Sequence, residues 1–100
     1  MVVSYYAVFQ DDTDGICISF PDIPTCITCA DTYSEGVMMA KDVLGLVLHG
    51  TAIDDLPISK HHNNIELRPN QKLVEISIEM HSQDGILRCD NVIELGYTIN

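Results

Sequence analysis

Basic residues are scarce in this chain: its 100 residues include 15 Asp and Glu against 5 Lys and Arg, a formal charge of −10. Acids outnumber bases in both halves, 7 to 1 over residues 1–50 and 8 to 4 over residues 51–100. Phosphate backbones are held by Lys and Arg through counterion release, so this chain is poorly equipped to bind nucleic acid by itself. A basic protein partner suits its field better. Aromatic residues make up only 6%, and no stretch interleaves them with cations as a nucleic-acid channel would. No apolar run approaches the ~18 residues that span a bilayer. The N-terminal MVVSYYAVFQDD lacks the basic n-region and long apolar stretch of a signal peptide. A cytosolic location is therefore expected, with the four cysteines reduced. Repeats and low-complexity tracts are missing, and 46% hydrophobic content over this length fills one modest core.

What is present reads as an α+β domain. Ser4 to Gln10 is rich in Tyr, Val and Phe and breaks at Asp11-Asp12-Thr13-Asp14-Gly15, a strand ending in a turn. Ile16 to Phe20 alternates, with Ile16, Ile18 and Phe20 on one face and Cys17 and Ser19 on the other, which makes the pair a hairpin. Pro21-Asp22-Ile23-Pro24 reads as a connection, because its prolines cannot donate ladder hydrogen bonds. Thr25 to Cys29 is expected as a third strand, with Ile27 and Cys29 facing the core. Thr32-Tyr33-Ser34-Glu35 fits a capping box, and Asp31 and Glu35 place negative charge at the positive helix end. Val37, Ala40, Leu44, Val47 and Leu48 then form the stripe that covers a sheet, and Gly50 closes a helix of about 17 residues. The polar stretch from Thr51 to Gln71 is long for a loop, so part of it is expected to pack along the sheet edge through Ile53, Leu56, Ile58 and Ile65. Lys72 to Met80 alternates strictly, with Val74, Ile76, Ile78 and Met80 inward, and Asp84-Gly85 is a turn signal before Ile86 to Cys89. The whole is one domain over residues 1–100. Its core is expected in 4–50 and 72–80, with 51–71 a connector and 81–100 a short tail.

Side chains that could carry chemistry give no catalytic constellation. Cys26-Ile27-Thr28-Cys29 has CxxC spacing, but redox motifs of that type open a helix, whereas residues three apart in a strand point to opposite faces. A zinc site needs a second close pair, which Cys17 and Cys89 do not form. His61 and His62 lie in the polar connector, and His49 ends the helix. Asp11, Asp12, Asp14 and Asp22 could in principle hold Mg²⁺ for phosphodiester cleavage, but that needs carboxylates converging from other strands, and Glu75 and Glu79 are expected on the outer face. These acids read either as solvated turns or as a negative rim that docks onto a basic protein. No enzyme activity, cofactor or metal is expected.

The run from Tyr6 to Leu48 resembles the HicB family of type II antitoxins. The likeness lies in a YAVF-type strand ending in a DxDG turn (Tyr6 to Phe9, Asp12 to Gly15), SFPDIP (Ser19 to Pro24), a Cys-containing strand (Cys26), and DTxxE followed by a helix with AKxxL (Asp31, Thr32, Glu35, Ala40, Lys41, Leu44). The resemblance implies a partly degenerate RNase H-like β-β-β-α-β domain without the nuclease's catalytic set. It also implies a binding protein that neutralises a small basic HicA-type mRNA interferase by covering its active face. On that reading Asp12, Asp14, Phe20 and Asp22 form the partner-binding rim, Phe20 alternatively belonging to the core. Many such proteins add a C-terminal DNA-binding domain, for which residues 81–100, with one basic residue (Arg88), offer too little. Two other roles compete: a free-standing regulatory or small-ligand module of the same fold, and a metal-dependent nuclease. Self-association is expected through the sheet edges or the helix flank of Met38, Val43 and Leu46.

Overall fold

A computed structural model of the chain describes residues 1–89. Four strands, β1 (Val2–Asp12), β2 (Gly15–Phe20), β3 (Ile23–Ala30) and β4 (Gln71–Glu79), form one antiparallel sheet in the order β3-β2-β1-β4. Between β3 and β4 run the helix α1 (Tyr33–Leu48) and two short 3-10 helices (Ile53–Asp55 and His62–Asn64), and a small hairpin of β5 (His81–Gln83) and β6 (Ile86–Arg88) follows β4. The strands after α1 thus extend the expected β-β-β-α-β order by one hairpin.

Pairing in β1 and β4 sets the faces. Tyr5 stands opposite Ile76 and Phe9 opposite Lys72. Directly opposed residues share a face, so the odd-numbered side chains of β1 join the even-numbered ones of β4 under the helix. Val3, Tyr5, Ala7 and Phe9 are buried there with Ile76, while Glu75 and Glu79 are exposed on the outer face, as expected from the alternation. Ala40, Leu44 and Leu48 of the helix stripe close the core from above, with Val37 and Val47 partly buried beside them. Val43 and Leu46 are also packed against the core, so of the expected free flank only Met38, 66% exposed, faces solvent.

Local signals explain the helix ends. Thr32 has extended dihedrals, and its hydroxyl accepts the Glu35 amide at 3.2 Å, the forward half of the capping box. At the other end Gly50 has φ +87°, a conformation costly for residues with a Cβ. Its N–H donates to the Leu87 carbonyl at 2.8 Å instead of to the helix, so the helix stop is also where β6 attaches.

Strand β3 corrects the sequence reading in two ways. It begins at Ile23 and includes Pro24, which a sheet-edge strand tolerates because its outer N–H positions need no partner. The inward face is also shifted. Ser19 pairs with Ile27 while the next residue, Phe20, pairs with Ile23, so Pro24, Thr25 and Cys26 form an excursion with no counterpart on β2. That excursion reverses the alternation: Cys26 and Ala30 are buried, whereas Ile27 (63% exposed) and Cys29 face outward.

The length of the connector follows from the direction of α1. The start of the helix lies over Phe9 and Ile18, where a Cβ on Gly36 would meet both side chains; its end lies by Ile78, close to a Cβ on Gly45. Strand β4 begins opposite Gln10 and ends opposite Val2, so the chain must retrace a nine-residue strand, about 30 Å at ~3.3 Å per residue, before β4 can start. Ile53 and Leu56 pack on the core along that path, and the Tyr5 hydroxyl donates to the Pro57 carbonyl at 2.6 Å. Ile58 does not pack: it is 90% exposed. Past the β2–β3 turn, His62 lies against Tyr6 with ring centroids 6.0 Å apart, and the Asn70 carbonyl accepts the Asp11 N–H at 2.9 Å.

The hairpin turns through Asp84 (φ 56°) and Gly85 (φ 77°), the paired left-handed residues of a tight two-residue turn. Leu87 and Cys89 are buried, and the Cys89 N–H donates to His49 Nδ1 at 3.0 Å. The core therefore runs on to Cys89, and residues 81–89 are not a tail. Asn91 to Asn100, and with them most of the expectation about a missing DNA-binding segment, lie outside the described residues.

Candidate functional site

Two of the four expected rim residues meet in one place. The turn between β1 and β2 carries Asp12 and Asp14, both exposed. Because Ile16 pairs with Ala30 and Cys17 with Cys29 across β2 and β3, the end of β3 lies beside that turn and brings Asp31 and the start of α1 with it. Asp12, Asp14, Cys17, Cys29, Asp31 and Glu35 line a cleft of about 510 Å³ there. Four carboxylates thus surround one opening. Gly15 makes this approach possible: its φ is +134°, and a Cβ there would stand 2.8 Å from the Ala30 carbonyl oxygen.

Asp12 is the most constrained of these acids. The Gln10 amide donates to its Oδ1 at 3.0 Å, and that bond, with the Cys17 thiol beside it, holds the Asp12 carboxyl below the usual carboxylate range. The carboxylate in turn pushes the Cys17 thiol up, by accepting a hydrogen bond from the protonated thiol and by repelling the thiolate. Asp12 therefore keeps its negative charge and Cys17 its proton near neutral pH.

Asp22 and Phe20 lie elsewhere. Asp22 follows β2 where Asp14 precedes it, so the two are separated by the strand's six residues, about 20 Å. One Asp22 oxygen accepts the Lys60 N–H at 2.8 Å, which ties the connector down. Burial, and then the Asp22 charge, push the Tyr5 hydroxyl up. Phe20 is 1% exposed. Its ring belongs to the core, which removes it from the rim: it is the last inward residue of β2, directly opposed to buried Ile23.

Sequence reasoning takes Asp31 and Glu35 as helix-terminus residues and misses their place on the same cleft as Asp12 and Asp14. The usable signal is the strand pairing that returns β3 beside the first turn. Of the cysteines, burial pushes Cys26 up to about 12, an inert thiol inside the core, while Cys17 and Cys29 are exposed. In the connector His61 and His62 stack at 4.2 Å, and His61 Nδ1 accepts the Asn63 N–H at 3.3 Å. Among the described residues no three His, Cys, Asp or Glu side chains converge as metal ligands would, and no helix is long and apolar enough to cross a membrane.

No family model matches the sequence. The chain is 38% identical over 67 residues to an uncharacterized 14.9 kDa protein of the rep-hol intergenic region of Haemophilus phage HP1, a match covering 67% of this chain and 50% of that protein. The chain thus spans about half the length of this curated relative. In fold it is similar to a chain from a toxin–antitoxin complex of Streptococcus pneumoniae, with a TM-score of 0.66 and 22% identity over 98% of this chain and 91% of that one. The architecture common to the two extends over nearly their whole lengths.

Proposed function

We propose that this protein is an antitoxin-like binding module that neutralises a small basic mRNA interferase of the HicA type by covering its active face. The observation that carries the reading is the fold likeness to a chain of a toxin–antitoxin complex across almost all of both chains. The HicB-like motif order from Tyr6 to Leu48 and the partly degenerate RNase H-like fold it implies agree with it. The acidic cleft supplies the chemistry: Asp12, Asp14, Asp31 and Glu35 present negative charge at one end of the sheet, where they compete with RNA for the cations of a ribonuclease surface. In this role the module has no catalytic step of its own and acts by occupancy.

Co-expression with the product of the adjacent reading frame tests the proposal. The expected result is a stoichiometric complex on purification and relief of the growth arrest that the neighbour causes alone. No complex and no relief would overturn it, and a solitary gene without a small basic neighbour would favour a free-standing regulatory module.

A further inference from the structure

The outer face of the sheet, at the acidic cleft, carries a cysteine pair to which the proposed binding role assigns no function. Cys17 on β2 and Cys29 on β3 are directly opposed in the antiparallel ladder, and both are exposed. Opposed residues in such a ladder have Cα atoms about 4.5–5.5 Å apart and side chains on one face. A disulfide needs about 4.4–6.8 Å between Cα atoms, so the spacing of this pair falls within that range. The other pairings do not. Cys26 is three residues from Cys29 along the strand and on the opposite, buried face, and Cys89 is buried beneath the end of α1.

We infer that Cys17 and Cys29 form a thiol-oxidation site that closes to a cross-strand disulfide when the protein meets a low-molecular-weight disulfide such as oxidised glutathione. One cysteine thiolate attacks a glutathione sulfur, forming a mixed disulfide and releasing one glutathione thiolate. The second cysteine thiolate then attacks the protein-bound sulfur, forming the Cys17–Cys29 bond and releasing the second glutathione. Two protein thiols lose two electrons and two protons, and one glutathione disulfide becomes two thiols. Closure fixes the edge strand β3 to β2 beside the acidic cleft, and a reducing thiol reverses it.

The test uses the full chain, fully reduced, then exposed to oxidised glutathione at neutral pH with free thiols blocked before digestion. Cleavage before Asp14, Asp22 and Asp31 places the two strands in different peptides, 14–21 and 22–30. The expected product is a monomer lighter by two hydrogens, in which the peptide carrying Cys17 is joined to the peptide carrying Cys26 and Cys29 through Cys29, with Cys26 and Cys89 still free. Cys17→Ser is expected to abolish this product and leave Cys29 carrying one glutathione; Cys29→Ser is expected to do the converse. Stable glutathione adducts on both cysteines of the unsubstituted chain, a bond involving Cys26 or Cys89, or an unchanged mass would overturn the inference. So would an intramolecular disulfide that persists in both serine variants.

Discussion

Asp12 shows how much one exposed carboxylate can do at short range. It is held ionised by Gln10 and in turn keeps Cys17 protonated. Only the thiolate is nucleophilic, so removing this charge frees Cys17 to react. In Asp12→Asn the pKa of Cys17 falls toward its ordinary value, and at a fixed pH below that pKa its alkylation by iodoacetamide quickens roughly two- to five-fold. The pH–rate profile moves to lower pH, the two proteins converge once both thiols are fully ionised, and added salt narrows the gap. Residue-resolved mass spectrometry reads this directly. An unchanged profile would mean that Asp12 does not face Cys17. At this scale the sequence is informative only in part: the acidic turn stands out, but the Cys17–Asp12 contact depends on the hairpin register.

The elements that sequence reading locates best are those whose signals are local. Thr32 caps α1, the stripe from Val37 to Leu48 covers the sheet, and the alternation of β4 has the correct phase. What it misplaces depends on tertiary geometry. The inward face of β3 follows an excursion at Pro24 to Cys26 that no periodicity announces. The docking of the β5–β6 hairpin rests on Gly45, where the helix lacks a side chain so that Cys89 can approach. A Cβ on residue 45 would stand 2.7 Å from Cys89 Sγ, 3.6 Å from Cys89 Cβ and 3.7 Å from Ile78 Cδ1. Alanine favours helix over glycine by about 1 kcal/mol, whereas overpacking a core costs about 1–3 kcal/mol. Gly45→Ala is therefore expected to destabilise the chain by about 1 kcal/mol in urea unfolding. In a Cys89→Ala background the clash is gone, and the same substitution should be neutral or stabilising. The coupling between the two sites is then about 1–2 kcal/mol. Equal effects in both backgrounds would mean that the hairpin does not rest on this part of the helix.

On the scale of the whole molecule, charge is distributed more selectively than composition reveals. The −10 balance is spread along the chain, yet folding gathers Asp12, Asp14, Asp31 and Glu35 around one cleft and sends Asp22 to the other end of β2. That sorting is illegible from sequence because it requires both strand order and the position of the helix start. It also separates two explanations of the acidity. If the charge served only solubility, its location would be immaterial, and reversing any one exposed acid would have the same effect on association. If the cleft steers a basic partner, location matters. Asp14 is exposed on the turn at the cleft, and Asp54 is exposed in the connector just after the far end of α1. Asp14→Lys and Asp54→Lys change net charge equally. With a basic partner of the proposed kind, Asp14→Lys is expected to slow association about ten-fold at low salt, an effect that fades as screening shortens the reach of the field. Dissociation should change little, because charges at an interface rim act mainly on the encounter. Asp54→Lys should leave the association rate within about two-fold of the unsubstituted chain, since its charge lies more than one Debye length, about 8 Å, from the cleft. Stopped-flow association at several ionic strengths distinguishes the cases: equal slowing by both substitutions would assign the acidity to a diffuse field, and slowing by Asp14→Lys alone would place the encounter surface at the cleft.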